Sequence, residues 1–386
     1  MHVVIVPSWY SNEKNAVLGS FFKEQAIVLK ESGIDITVCY NEIFPIYSYD
    51  KLKNIFINKI TRNIEDGLDT YRYRDFNYLL HSHKRFLLFS RRIKRLIDKV
   101  LEDKGKIDLI HFHSCFWAGV CAPYIKNTFK IPYIITEHTS IYNSKKIKKS
   151  YMDYIYNAYK NADALISVSN SLKCEMLEIL NRDITVIHNF IDGQKFNIIQ
   201  ENTDNLKKKF NFFSLAFLVD GKGFETLISA CEILVSKGYD FLLEIGGDGY
   251  LRKKLEENVR DKNLSNNIIF LGLLTREQVI LKMNQCDAFI LASCYETFGV
   301  VYIEALACGK PVIAVKNGGA EEIINEKVGI LVDKCDYFKI ADAMEKMICN
   351  IKYYGKEYIR KYFLDNFEKH IIIAKLKDVY KNCLNI

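Results

Sequence analysis

The chain has 386 residues, a formal net charge of +7, 49% hydrophobic residues and 26% charged residues. This composition is typical of a globular protein and excludes a disordered chain, and the length favours two domains over one. No apolar run approaches the roughly 20 residues that cross a bilayer. The short apolar start has no basic residues before it, which indicates a first strand rather than a signal peptide.

The cysteines and the positive charge exclude further classes of protein. The eleven cysteines are scattered, without a C-x-x-C pair or a histidine at zinc spacing. We therefore expect free, mostly buried thiols in the reducing cytoplasm and no metal site. The chain is basic, but no nucleic-acid motif is present, so we expect no nucleic-acid partner.

Patterns of strand and helix alternate through the first half of the chain. A helix is predicted at residues 20–33, where Gly33 ends it. Strands are predicted at residues 2–8, 34–40, 107–114, 131–138, 164–170 and 183–189. This alternation predicts a parallel sheet wrapped by helices.

Residues 84–99 interleave basic and apolar side chains at helical spacing. One interpretation is a basic amphipathic helix that lies on an anionic membrane surface. The other is a helix that faces the core and carries a solvated outer side. The sequence does not separate these two interpretations.

A second series of strands follows a turn-rich segment near residue 190. Its predicted strands are residues 213–219, 241–247, 267–272, 288–293, 311–315 and 328–333, and a helix is predicted at 366–384. We therefore predict an N-terminal domain at 1–190, a C-terminal domain at 191–365 and a final helix in 366–386. The predicted fold class is α/β, with two Rossmann-like doubly wound domains that face each other across a cleft.

The segment "ASCYETFGVVYIEALACGKPV" (292–312) carries the first chemical signal. A helix is predicted to begin near Phe298–Gly299, just after a buried strand. The first amides of a helix have no partners inside it and carry partial positive charge, so an anion fits there. Glu296 would repel that anion and is predicted to bind neutral hydroxyls, and Glu304, about 1.5 turns into the helix, is predicted to bind a second polyol. A sugar joined through a diphosphate to a nucleoside has both polyols and the anion.

Three glycine-rich segments precede other predicted helices. "GGDGYLRKKLEE" (246–257) contains Gly247 and Gly249, and "KNGGAEEII" lies at 316–324. "DGKGFETLISA" (220–230) places Lys222 beside Gly223. A lysine about 4 Å from a phosphate charge contributes on the order of 4 kcal/mol before desolvation. A plain tight turn and a solvated surface lysine would explain each segment taken alone.

Together these segments resemble the retaining glycosyltransferases of family 4, whose fold is termed GT-B. The family's E-x7-E element is Glu296 to Glu304, its Lys-Gly is Lys222–Gly223, and its glycine turn is Gly247–Asp248–Gly249. The N-terminal half is also similar to the family, in "PSWYSNEKNAVLGSFFKEQ", in "IITEHTS" and in "VIHNFIDGQKF". The resemblance covers nearly the whole chain.

The resemblance implies a role for each matching residue. Glu296 and His138 would contact the donor sugar as the catalytic residues, and Lys222 would neutralise the leaving diphosphate. Glu304 would bind the ribose. The remaining donor-binding positions would be Gly19, for close approach to the phosphates, with Gly247, Gly249, Phe298, Gly299 and Val300.

Three further expectations concern individual residues. The polar neighbours of His138 predict an open site around it. His111 and His113, which alternate on one strand, are expected to be structural. The family has an arginine five residues before the lysine, and Phe217 takes its place here. Either Lys222 suffices, or another cation replaces the arginine, or activity is weakened.

The resemblance implies a transferase that moves a sugar, with retention, from a UDP- or GDP-sugar to a glycan or polyprenyl-linked acceptor. A role in bacterial surface polysaccharide synthesis, such as lipopolysaccharide or capsule, is expected, in the cytoplasm or peripherally on the inner face of the cell membrane. No D-x-D motif is visible, so we expect no metal, and no cofactor, since the nucleotide sugar is a substrate. The alternatives are an isomerase like the UDP-sugar 2-epimerases and a non-catalytic nucleotide-sugar-binding subunit.

Overall fold

The computed structural model describes residues 1–11, 19–44, 59–77, 79, 84–141, 147–199, 209–333 and 336–386. The chain divides into two compact units, and each unit is described here by itself. The first unit contains residues 1–187 and 373–386, and the second contains residues 188–372. Each has a sheet of mainly or wholly parallel strands together with helices, which confirms the predicted α/β fold class.

The sheet of the first unit has eight strands in the spatial order β3-β4-β2-β1-β5-β6-β7-β8. These strands are β1 (His2–Pro7), β2 (Asp35–Phe44), β3 (Ile60–Glu65), β4 (Leu68–Phe76), β5 (Leu109–His113), β6 (Tyr133–Glu137), β7 (Ala164–Ser167) and β8 (Thr185–Val186). The helices of this unit are α1 (Ser20–Glu31), α2 (Lys84–Lys104), α3 (Ala122–Phe129), α4 (Met152–Asn161) and α5 (Asn170–Ile179). The predicted strands are confirmed, with shifts of a few residues at their ends.

Sequence patterns did not predict the hairpin of β3 and β4, which is the antiparallel part of the first sheet. Its two-residue turn is Asp66–Gly67, and both residues have positive φ, at 47° and 79°. This is the Asp-Gly signature of a tight hairpin turn. The charged residues in β4 hide the strand pattern, because Arg72 is buried and its Nε donates to Glu65 Oε1 at 2.7 Å.

Helix α2 contains the basic and apolar segment 84–99, and the structure separates its two interpretations. The apolar side chains are buried in the core of the first unit: Phe86, Phe89, Ile93, Leu96 and Ile97. Arg92 is buried as well and pairs with Asp75. The structure therefore supports the interpretation of a helix that faces the core. Leu87 and Arg91 lie on its exposed outer side.

The sheet of the second unit has six strands, all parallel, in the spatial order β11-β10-β9-β12-β13-β14. They are β9 (Phe210–Leu215), β10 (Phe241–Gly246), β11 (Ile268–Gly272), β12 (Ala288–Leu291), β13 (Val312–Val315) and β14 (Gly329–Val332). The helices are α6 (Phe224–Ser236), α7 (Arg252–Asp261), α8 (Arg276–Gln285), α9 (Val300–Ala307), α10 (Ala320–Ile323), α11 (Tyr337–Asn350) and α12 (Lys356–Asn366). A last helix, α13 (Lys369–Leu384), closes the chain.

Strand β9 begins three residues before the predicted 213–219 and ends at Leu215, so the prediction was shifted. The polar residue Asn211 obscured the start of the strand. It is buried in the sheet because its Nδ2 donates to Glu244 Oε2 at 3.0 Å. The apolar residue Phe217 was assigned to the strand, but it lies in the following turn and is 57% exposed.

The order of the strands defines a switch point in the second sheet. From β9 the chain moves outward through β10 and β11, and it then crosses to β12 on the other side of β9. The connections that follow β9 and β12 therefore lead to opposite edges of the sheet. Ligands of open parallel sheets bind in the crevice that such a divergence creates.

Candidate active site

The loop after β9 and the loop after β12 touch at this switch point. Gly223 begins α6 with φ +72°, and a Cβ atom there would lie 1.9 Å from the carbonyl oxygen of Ala292. The amide of Cys294 donates to the carbonyl oxygen of Gly221 at 2.8 Å. This close packing of two backbones holds Lys222 beside the segment that contains Glu296.

Lys222 and Glu296 form an ion pair. Lys222 Nζ lies 2.7 Å from Glu296 Oε1, and the two side chains are 26% and 15% exposed. The pair is therefore in contact with solvent and is open to a ligand. The sequence analysis assigned these residues to two parts of one ligand, and the structure brings them into direct contact.

The predicted helix start after β12 is confirmed. Gly299 precedes α9 and has φ +92°, a conformation that glycine adopts without strain. The amides of a helix's first turn, here from Val300 onward, are donors for an anion. The side chain of Phe298 is buried and stacks on His188 with ring centroids 5.3 Å apart, so Phe298 can offer a ligand only its backbone.

Glu304 lies inside α9 and is 2% exposed. Its Oε1 pairs with Nη1 of Arg276, the first residue of α8. The guanidinium of Arg276 lies over the ring of Phe196, 4.4 Å from its centroid. The sequence analysis missed Arg276, although its position at the start of a helix shortly after a strand is a signal for such a residue.

A second missed residue is Asn317, which is buried in the loop after β13. Its Nδ2 donates to the carbonyl oxygen of Ser293 at 3.1 Å and to Tyr302 Oη at 3.0 Å. Its backbone carbonyl oxygen accepts from the backbone amide of Glu296 at 3.3 Å. Asn317 therefore fixes the backbone that carries Glu296, and the Asn-Gly-Gly loop was its only sequence signal.

The glycine turn after β10 packs against the loop after β9. A Cβ atom at Gly247 would lie 1.9 Å from the carbonyl oxygen of Ala216, and one at Gly249 would lie 2.3 Å from that of Leu218. Both glycines are thus required by packing between loops. The tight-turn interpretation explains them without a ligand, and their predicted contact with the donor stays a prediction.

Gly19 and His138 lie in the first unit, at the start of α1 and just after β6. The N-cap residue of α1 is Gly19, where a Cβ atom would lie 2.7 Å from the carbonyl oxygen of Trp9. The next turn of α1 covers His138, because the rings of Phe21 and Phe22 have centroids 5.2 and 4.9 Å from its imidazole. The structure therefore places the start of α1 next to this histidine.

The expectation of an open site around His138 was wrong. His138 is 8% exposed, and burial holds the pKa of its imidazole well below the usual range. Its neighbour Glu137 is buried too and accepts from the amides of Cys115 and Thr139 at 2.8 and 3.1 Å and from Tyr159 Oη at 2.9 Å. The polar residue Glu137 thus accepts hydrogen bonds inside the fold, and its polarity does not indicate that His138 is exposed.

His111 and His113 are buried on β5. Nδ1 of His111 lies 2.7 Å from Tyr380 Oη, and its Nε2 lies 2.7 Å from Thr136 Oγ1. His111 is therefore fully hydrogen-bonded inside the fold, which confirms its structural role. His113 contacts His138, with Nδ1 and Nε2 3.1 Å apart.

Comparisons with known proteins decide the family. The model of "Glycosyltransferase Family 4" matches residues 19–195, and that of "Glycosyl transferases group 1" matches residues 195–357. An uncharacterized glycosyltransferase of Methanocaldococcus jannaschii is 32% identical over 329 residues, which cover 83% of this chain and 85% of that protein. The chain belongs to the family of glycosyltransferases that these two models and this relative represent.

Other similar proteins agree with this family. A putative teichuronic acid biosynthesis glycosyltransferase of Bacillus subtilis is 25% identical and covers 90% of this chain and 89% of its own length. The sucrose-phosphate synthase of Thermosynechococcus elongatus has a TM-score of 0.79 at 18% identity, with 99% of each chain covered. The Anabaena protein HepE, solved in complex with UDP-glucose, has a TM-score of 0.73 at 17% identity and covers 99% of this chain and 100% of its own. These two structures support the GT-B fold of the glycosyltransferase.

Among the helices in the part of the chain that the structure describes, none has the length and apolar character needed to cross a membrane.

The contact at Gly223 leads to a prediction with a matched control in the same loop. Gly221 and Gly223 both have positive φ, at 86° and 72°, but a Cβ atom at Gly221 would meet nothing within 4 Å. Gly221→Ala should lower the free energy of unfolding by only about 1–2 kcal/mol, which is the cost of an alanine in the left-handed conformation. Gly223→Ala should lower the free energy of unfolding by about 1–3 kcal/mol more, because the loop after β12 must move to make room for the added methyl group. Thermal unfolding of both variants measures the difference, and equal losses would show that the two loops do not pack as described.

Proposed function

We propose that this glycosyltransferase moves a sugar from a UDP- or GDP-sugar to a glycan or lipid-linked acceptor, with retention of configuration at the anomeric carbon. The observation that carries the proposal is the Lys222–Glu296 pair at the switch point, directly before the first turn of α9. A diphosphate needs cations and amides, and a sugar needs a hydrogen-bond acceptor such as a carboxylate. Both kinds of group are present there within one short segment.

The ion pair is proposed to open when the donor binds. The pair is partly exposed, and a surface ion pair contributes about 0–1 kcal/mol, so a diphosphate can replace Glu296 as the partner of Lys222. The diphosphate carries more negative charge than one carboxylate and would take Lys222 and the first amides of α9. Glu296 would then be released to accept hydrogen bonds from sugar hydroxyls. In the same scheme Glu304, held by Arg276, would bind the ribose.

The proposed chemistry needs no residue that attacks the sugar. Departure of the nucleoside diphosphate is the difficult step, and fixed positive groups aimed at the leaving oxygen lower its barrier. Lys222 and the amides from Val300 onward supply that charge. The acceptor hydroxyl then attacks from the side of the departing phosphate, which takes its proton, and the configuration is retained. Neither a metal ion nor a cofactor has a step in this scheme, and His138 is proposed to contact the donor sugar.

The acceptor and the location are proposed on separate grounds. The Bacillus subtilis relative is named for teichuronic acid biosynthesis, which supports a surface polysaccharide as the product. Exposed cations such as Arg91 on α2 support attraction to an anionic membrane surface. The ten described cysteines form no disulfide among themselves, which fits a reducing cytoplasm. We therefore propose a cytoplasmic enzyme that works peripherally at the inner face of the cell membrane.

Two other activities remain as alternatives. An isomerase of the UDP-sugar 2-epimerase type would change the sugar without an acceptor, so product analysis in the absence of acceptor separates it from a transferase. A non-catalytic nucleotide-sugar-binding subunit would bind the donor without turnover. Phe217, in the place of the family's arginine, is the observation that favours this second alternative.

The role of Glu296 predicts the effect of its removal. Glu296→Ala should lose most transfer, about 100-fold or more, because a group positioned at the reacting sugar contributes a factor of this size. The fold should remain, since Glu296 is partly exposed and its backbone is held by Asn317. Initial rates with the matching nucleotide sugar and thermal unfolding measure both effects. The matched control is Glu326→Ala, which removes an exposed carboxylate of the same unit, and a wild-type rate in Glu296→Ala would exclude the assignment.

Restoring the family's arginine at position 217 is predicted to increase the affinity for the nucleoside diphosphate. Phe217 is 57% exposed in the loop after β9, so an arginine fits there without disturbing the core. Phe217→Arg should bind the nucleoside diphosphate about 10-fold more tightly, because a hydrogen bond to a charged group contributes about 1.5–3 kcal/mol. Phe217→Leu is the control, with the affinity of the wild type. Calorimetric titration measures all three, and equal affinities for the arginine and leucine variants would place the diphosphate elsewhere.

A further inference from the structure

The buried side chain of Asn317 joins the loop after β12 to helix α9. Its Nδ2 donates to the carbonyl oxygen of Ser293 at 3.1 Å and to Tyr302 Oη at 3.0 Å. Its Oδ1 accepts from the amide of Ala320 at 3.0 Å. A flipped amide would place Oδ1 against the carbonyl oxygen of Ser293, so these bonds fix which side of the amide carries the oxygen. Asn317 is therefore held in one orientation.

The backbone of Asn317 holds Glu296. The backbone amide of Glu296 donates to the backbone carbonyl oxygen of Asn317 at 3.3 Å, and Glu296 and Gly318 form a parallel bridge between the two loops. Glu321 Oε2 accepts from the amides of Asn317 and Gly318 at 2.9 and 2.8 Å. A movement of Asn317 would therefore move the segment that carries the Glu296 carboxylate.

Tyr302 connects Asn317 to the start of α9. Side chains of an α-helix lean towards its amino end, so a residue three places after Gly299 covers the first turn of the helix. The ring of Tyr302 accordingly lies against Gly299, where a Cβ atom would be 2.4 Å from Cδ2 of the ring. The hydroxyl of the same side chain accepts from Asn317. One buried side chain thus contacts both the helix start and the asparagine that holds Glu296.

We propose that Tyr302 is a positioning residue of the transfer site: its ring holds the start of α9, and its hydroxyl, acting through Asn317, holds Glu296. This statement rests on the proposed function. Burial and the charge of Glu296 raise the pKa of Tyr302 well above its usual range, so the hydroxyl bonds to Asn317 as a neutral group. In this scheme Tyr302 has no contact with the substrate. It fixes the spacing between the amides for the diphosphate and the carboxylate for the sugar before the donor binds, and such preorganisation lowers a barrier.

Two substitutions separate the ring of Tyr302 from its hydroxyl. Tyr302→Phe keeps the ring against Gly299 and removes the acceptor for Asn317. Its kcat should fall about 3- to 10-fold, while the Kd of UDP or GDP, whichever binds, should stay unchanged. Tyr302→Leu removes the ring as well and should also weaken binding of that nucleotide by about 3-fold or more. Initial rates and calorimetric titration measure these effects, and an unchanged kcat in Tyr302→Phe overturns the proposal.

A double-mutant cycle tests whether Tyr302 acts through Glu296. Effects of two residues that act through one group are not additive. Tyr302→Phe should therefore lower the transfer rate of the wild type and cause no further loss in the Glu296→Ala background. An equal loss in both backgrounds overturns the positioning role, because a general weakening of the fold would act in both.

Hydrogen exchange reports on the loop without any turnover. Mass spectrometry should show faster exchange of the segment 293–299 in Tyr302→Phe than in the wild type. The reason is that the amide of Glu296 is held by Asn317, which loses one of its partners in the variant.

The matched control is Tyr133→Phe. It removes another buried tyrosine hydroxyl, which donates to the carbonyl oxygen of Ala158 at 2.6 Å in the first unit. This variant should lower the unfolding temperature by a few degrees and leave the transfer rate and the exchange of 293–299 unchanged.

The measurements distinguish failure of this inference from failure of the proposed function. Faster exchange in Tyr302→Phe, without turnover of any nucleotide sugar by the wild type, means that Tyr302 positions the loop and that the proposed transfer fails. Turnover together with unchanged exchange and additive losses means that the transfer stands and that the inference about Tyr302 is wrong.

Discussion

Two backbone segments of the second unit approach each other so closely that no side chain fits between them. The approach is at Gly223 and Ala292, where the loops after β9 and β12 leave the sheet in opposite directions. Parallel strands place these loops at the same edge of the sheet, next to the switch in strand order where ligands of open parallel sheets bind. The ion pair of Lys222 with Glu296 and the start of α9 at Gly299 depend on this contact, since each lies within a few residues of it.

The ionisable groups singled out in the two units differ in burial, and this difference decides what each group can offer a ligand. In the second unit Lys222 and Glu296 stay partly exposed, so their charges remain available to a ligand at modest cost. In the first unit burial lowers the pKa of His113 to about 3 and that of His138 well below its usual range, so these imidazoles contribute hydrogen bonds rather than charge. A departing diphosphate needs charge, whereas a sugar hydroxyl needs a directed donor or acceptor.

Sequence patterns predicted the fold class well because both sheets are mainly parallel and their strands are apolar. The short run before Pro7 and the run at Ala288–Leu291 are examples in which periodicity and length sufficed. The hairpin of β3 and β4 escaped prediction because its buried positions hold Arg72 and other charged residues, and Arg72 is stabilised by carboxylates of the neighbouring strands β3 and β2. The turn at Asp66–Gly67 was the one local signal for it.

The candidate site was predictable in its motifs and unpredictable in its contacts. Spacing identified Glu296, Glu304 and Lys222, since their segments follow strands and begin helices. It could not show that Arg276 holds Glu304, because that pair joins helices α8 and α9. Nor could it show that His138 is buried, because exposure depends on Phe21 and Phe22 of α1, which are far away in the sequence.

The central claim is that the second unit binds a nucleoside diphosphate sugar at its switch point. The most direct test is thermal unfolding of the purified full chain with UDP, GDP, ADP, CMP or NAD. A ligand at 100 times its Kd stabilises the protein by about 2.7 kcal/mol, which raises the unfolding temperature of a chain of this size by a few degrees. The account predicts this shift with UDP or GDP and not with CMP or NAD. The absence of a shift with every one of these nucleotides would contradict it.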